Sequence, residues 1–129
     1  MVDTQGNLLR VAVHPANLQD RDGALLVLTR VGRAFDSIRR IWADHGYLAQ
    51  WLRTWVGSHL DATLEFVKPS ATRTGQRLLP RRWVVERSFA WQGRNRRLSK
   101  DYEACPEVSE VWIYMAMARR SLRRLARYP

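Results

Sequence analysis

Cys105 is the sole cysteine in 129 residues, so an internal disulfide is excluded. No other Cys or His stands at metal-ligand spacing from it, which leaves it a bystander thiol. Long apolar runs are also missing. The longest uncharged apolar stretch, Val111 to Ala118, falls far short of the ~20 residues that a membrane-spanning helix needs. The opening Met1-Val2-Asp3-Thr4-Gln5 has neither the basic nor the apolar segment of a secretory signal. Together these absences predict a cytoplasmic protein with no membrane partner. Internal repeats and low-complexity tracts are absent too. Acidic residues are scarce in one half only: residues 73–129 carry fourteen Lys/Arg against five Asp/Glu, whereas residues 1–72 carry eight against seven. The net charge of +10 thus divides into +9 and +1.

What is present fits one folded domain over residues 1–129. Hydrophobic residues make up 46% of the chain and six are tryptophan, enough for a packed interior at this length. Thirteen of the fourteen basic residues in the C-terminal half are arginine, whose forked guanidinium suits phosphate oxygens better than lysine does. A polyanion, most simply nucleic acid, is the implied partner. The alternative is a solvated charged face that binds nothing.

Hydrophobic spacing gives the order strand, strand, helix, strand, helix, strand, helix, helix, an α/β arrangement. Val2, the Gly6-Asn7 turn and the apolar run Leu8 to Val13 read as a hairpin with a very short first strand. A helix is predicted around Ala24 to Val31, approached by Asp20 and Asp22 as a helix N-terminus prefers. Ser37 to Ala43 reads as a strand, residues 48–58 as a helix, and Thr63 to Val67 as a second alternating strand. Residues 69–80 read as a loop. Two helices, over about 81–98 and 107–126, close the chain. The last is expected to bury Val111, Met115, Ala118, Leu122 and Leu125, with Arg119, Arg120, Arg123, Arg124 and Arg127 on the opposite side.

Two carboxylates are candidates for chemistry. Asp44 follows a predicted strand and precedes a turn containing Gly46. Ligands of open α/β sheets bind beyond strand carboxyl ends, although Asp before such a turn also caps it. Glu86 is the one carboxylate between Arg81 and Lys100. On a helical wheel it is bordered by Arg82, Ala90, Gly93 and Arg97, which leaves open space flanked by guanidinium groups. It is either an ion-pair partner of Arg82 or a ligand for a cation that arginine cannot replace. Attack at a phosphodiester is assisted by two divalent cations about 4 Å apart. Magnesium favours carboxylate oxygens, so a few Asp and Glu converging from different elements suffice.

The stretches IWADHGY (residues 41–47) and LPRRWVVERSFAWQGRNRRLSKDYE (residues 79–103) closely resemble the DDE transposases of bacterial insertion sequences, in the group named for insertion sequences four and five. The opening VDTQGNLLRVAVHPANLQDRDGA is similar to that family's stretch after its first catalytic strand. The resemblance covers essentially the whole chain. It implies a ribonuclease-H-like fold, here incomplete because the first strand is missing, with two C-terminal helices. It also implies Mg2+ or Mn2+, and cleavage and joining of double-stranded DNA at transposon ends. By position, Asp44 matches the Asp of the family's Ala-Asp-x-Gly-Tyr motif, and Glu86 matches the Glu of its Trp-x-Val-Glu-Arg motif. Both are then catalytic and metal-binding. Arg82, Arg87, Arg94, Arg96, Arg97 and Lys100 fall in the basic helix that lies along DNA, where Trp91 serves either as core or as a base-stacking platform.

The family's first Asp has no counterpart by motif, because Asp3 falls in the following hairpin and Asp20 and Asp22 match no catalytic position. The expectation is therefore a truncated transposase domain, nucleoid-associated and inactive alone. An N-terminal transposase polypeptide, supplied separately, would restore the missing ligand. A homodimer is a further possible partner, since unpaired sheet edges invite association. The competing expectation is a non-catalytic DNA-binding remnant or a regulator of a full-length transposase.

Overall fold

A computed structural model describes residues 1–67 and 82–127, without the side chain of Arg82. The predicted loop at 69–80 lies outside the described residues. The chain forms two compact units. One comprises Pro15–Arg82, and the other joins Met1–His14 to Trp83–Pro129.

The first unit holds α1 (Asp20–Gly32), β1 (Arg40–Asp44), α2 (Gln50–Leu60) and β2 (Thr63–Val67). Asp20 and Asp22 lie in the first turn of α1 and Arg30 in its last, signs that complement the helix dipole. The two strands pair in parallel, Arg40 to Thr63 through Asp44 to Val67. A parallel pair needs a crossover connection, and α2 supplies it. Ile41 and Leu64 are partners in register and both are buried, on one face of the pair. On the other face, Trp42 Nε1 donates to Glu65 Oε2 at 2.8 Å, and Arg40 Nε lies 3.4 Å from Glu65 Oε1. Leu28 and Val31 of α1 and Leu52 and Val56 of α2 complete the apolar core. Full burial of such side chains is worth about 1.5–3 kcal/mol each. Where α1 ends, Gly32 lies so close to the Leu60 side chain that a Cβ there would displace it.

The second unit is built differently. Apart from Met117, every fully buried apolar residue among those described lies in the first unit. Here α3 (Arg82–Gly93) and α4 (Pro106–Leu125) meet the N-terminal segment. The predicted hairpin is reduced to a single antiparallel bridge, Val2 to Leu8, and the run from Leu8 to Val13 forms no strand. The reason lies in where its backbone groups go. Val11 N–H donates to the Tyr114 hydroxyl at 3.2 Å and Val13 N–H to Glu110 Oε1 at 3.1 Å, so α4 side chains take the place of a partner strand.

Two further expectations are corrected. α3 stops at Gly93 rather than running to 98. The Asn95 side-chain amide donates to the carbonyls of Trp91 and Gln92, and a separate 3-10 turn covers Arg96–Leu98. Arg97 is therefore not on the helix that carries Glu86. On α4 the expected core stripe is exposed: Val111, Met115, Leu122 and Leu125 are each more than half accessible, and Ala118 is exposed as well. The packed face carries Ser109 and Met117 instead.

The N-terminal turn locks onto α3. Gly6 has φ +84°, and a Cβ there would lie 2.9 Å from Ser88 Oγ and 3.1 Å from the Trp91 ring. The buried Ser88 hydroxyl donates to the Gly6 carbonyl at 2.9 Å, with the Val84 carbonyl at 3.0 Å as its alternative acceptor. Gly6→Ala should destabilise this unit by about 1–3 kcal/mol, through left-handed strain and the clash together. Urea unfolding followed by tryptophan fluorescence measures it, and an unchanged midpoint would show that the turn is not held this way.

Candidate active site and nucleic-acid interface

Asp44 is the last residue of β1, beyond which a 3-10 turn runs His45–Tyr47. Its Oδ1 accepts from His45 N–H at 2.7 Å, so the carboxylate caps the turn from the strand's carboxyl end. It is exposed. The capping expected of an Asp before such a turn is present, and the group is exposed. Tyr47 senses the same corner. Burial first, and then the charges of Asp20 and Asp44, push its phenol above the ordinary value. Asp20, at the start of α1, thus acts on the same phenol as Asp44, although twenty-four positions separate them.

Glu86 lies on α3 and is exposed. It belongs to the other unit from Asp44. Among the described residues no group of three or more His, Cys, Asp or Glu side chains could hold a metal ion. Asp3 is not a spare ligand. Its Oδ1 accepts from the backbone N–H groups of Gln5 and Asn7, both at 2.8 Å, and its Oδ2 from the Asn7 amide at 2.8 Å.

The basic residues divide by what they touch. The Arg87 guanidinium stacks on Trp83 at 4.0 Å and on Trp91 at 4.8 Å, and it donates to the Gln5 carbonyl at 2.8 Å. Arg97 pairs with Glu103 at 2.6 Å and lies over the Trp112 ring. Arg96 and Lys100 are exposed. Arg94, exposed just beyond α3, lies beside Trp91 at a cleft. Arg82 opens α3. The arginines of α4, set aside in the sequence as the outer face of a core helix, converge on this same cleft.

A raised Tyr47 value has a defined consequence. The fold holds the neutral phenol, so its contribution is intact below about pH 10 and is lost as pH rises through the folded-state value. Tyr47→Phe should flatten the alkaline fall in stability, read as urea midpoints between about pH 9 and 11. Parallel losses in both proteins would show that Tyr47 is not the group responsible.

Comparison with known proteins adds the family. The family model described as the transposase DDE domain matches residues 1–120, which includes parts of both units. No curated protein and no solved structure matches the chain.

Proposed function

Because the chain belongs to the transposase DDE-domain family, whose function is DNA transposition, we propose that it is a DNA-binding part of a transposase of the insertion sequence four and five group, with a ribonuclease-H-like arrangement. Asp44 and Glu86 are its two metal-binding catalytic carboxylates. Arg82, Arg94, Arg96, Arg97 and Lys100 are its DNA-binding residues, and Arg87 braces α3 through Trp83, Trp91 and the Gln5 carbonyl. The observation that carries this reading is the family match spanning both carboxylates, with Asp44 exposed at the carboxyl end of a parallel strand.

The family's chemistry typically uses a divalent metal, and for this chain we propose Mg2+ or Mn2+, which suit carboxylate oxygens. The described residues do not complete such a site, since no three potential ligands converge. No chemical step is therefore assigned to a metal. On this reading the remaining ligand comes from an N-terminal transposase polypeptide, and a homodimer is a separate further partner. A cytoplasmic, nucleoid-associated location follows from DNA as partner. Among the described residues no helix is long and apolar enough to cross a membrane.

The same incomplete ligand set favours a second reading, a DNA-binding remnant or regulator that does not cut. The two separate by experiment. With labelled transposon-end DNA and Mg2+ or Mn2+, the chain alone should bind without cleaving, and an added polypeptide carrying the missing carboxylate strand should restore cleavage. Asp44→Asn or Glu86→Gln should then reduce cleavage by at least ~100-fold with DNA affinity retained. Restored cleavage that survives both substitutions would sink the carboxylate assignment. Failure of any supplied strand to restore cleavage favours the regulator.

A further inference from the structure

Arg119, Arg120, Arg123 and Arg124 occupy the last third of α4, and Arg127 follows just beyond its end. With Arg94 they rim a cleft of about 840 Å³ floored by Trp91, Ala116 and Met117. Arg120 lies flat on the Trp91 ring, 3.1 Å from its centroid, and its NH1 is buried without a hydrogen-bond partner. Among the described residues none of these six arginines has a carboxylate within ion-pair distance; the ion pairs found there are Arg39–Asp61, Arg40–Glu65 and Arg97–Glu103.

Such an arrangement opposes folding unless something offsets it. Like charges at i, i+4 cost a helix about 0.2–0.5 kcal/mol per pair, and 119–123 and 120–124 are two such pairs within α4. The helix dipole accounts for cations in the final turn only. Burial, then Arg124 and Arg87, lower the Arg120 value, while Asp3 acts the other way with its oxygens already engaged in the N-terminal turn. A bound anion removes the repulsion, and arginine forks match phosphate oxygens. Length points to a polymer. From Arg119 to the end of α4 at Leu125 the helix rises about 9 Å, with Arg127 beyond it, against one phosphate per ~3.4 Å along each strand of duplex DNA. That span faces several consecutive phosphates, where a single nucleotide would meet only one end of the row.

We propose that this cleft is a second DNA-backbone site, in which Arg94, Arg119, Arg123, Arg124 and Arg127 contact successive phosphates while Trp91 and Arg120 form the floor. It takes DNA as ligand and Arg94 as a shared residue from the proposed function, but the α4 arginines add a surface separate from the two carboxylates and from the segment around Arg96 to Lys100. Binding here is backbone-directed and carries no base preference.

The test is fluorescence anisotropy of the full chain with a labelled duplex across a salt series. Arg119→Ala with Arg123→Ala removes two exposed guanidinium groups for which the fold shows no hydrogen bond or ion pair. This pair should weaken binding at least ~10-fold and shrink the slope of log affinity against log salt by about 1.8. Arg124→Ala with Arg127→Ala is a second pair that should act alike. Arg21→Ala with Arg33→Ala, on α1 and just past its end, removes the same charge elsewhere and should leave the slope nearly unchanged. Unaltered slopes in both α4 pairs, or an equal loss in the control, would overturn the proposal. So would tighter binding of an RNA hairpin through the same arginines, or full competition by millimolar tripolyphosphate. Cleavage assays on Asp44→Asn and Glu86→Gln read the carboxylate reading separately, so either can fail without the other.

Discussion

The unit formed by the two chain ends depends on one cluster, in which the guanidinium groups of Arg87 and Arg120 both lie over the Trp91 ring. With little fully buried apolar surface, this unit replaces a hydrocarbon interior with stacked cations and rings, at roughly 0.5–2 kcal/mol for each such pair. Arg87 extends the stack to Trp83 and ties it to the backbone at Gln5, and Arg124 reaches the Gln5 side chain at 3.2 Å. Guanidinium groups packed inward leave α3 and α4 charged on their rims. Stability and the proposed affinity for a polyanion therefore draw on the same residue type, with Arg124 serving both.

The other unit is held by ordinary apolar packing. Leu52, Val56 and Leu64 are almost wholly buried, and the crossover through α2 carries the chain back to lie parallel to β1. That packing fixes where β1 ends, and hence where Asp44 stands. Glu65 and Trp42 join the strands on the opposite face, so the pairing does not rest on the core alone. Asp44 is thus exposed at the end of a strand that is held from both faces.

Sequence periodicity recovered α2 and β2 closely, and the body of α1 although that helix starts at Asp20 rather than near Ala24, because each buries residues whose spacing follows its own geometry. It placed Asp44 at a strand end for the same reason. It failed where the unit formed by the two chain ends departs from apolar packing. The run Leu8 to Val13 looks like a strand, yet Tyr114 and Glu110 satisfy its backbone from a hundred residues away, which no local pattern encodes. The apolar positions of α4 show the right period and still face outward, since Ser109, Met117 and the Arg120 stack claim the packed side. Glu86 was legible as a carboxylate in a basic field. The cleft around Trp91 was not, because it needs the ends of two helices brought together.

Ser88 and Gly6 bear on the carboxylate in a way that neither chemistry nor charge conveys. Successive helical residues turn by about 100°, so Glu86 sits roughly 200° around α3 from Ser88. Any roll of that helix about its long axis must first pull Ser88 out of its seat against the bare Cα of Gly6. The amino-terminal turn thus works as a detent, setting the azimuth of an acidic side chain on the far side of the helix that it never meets.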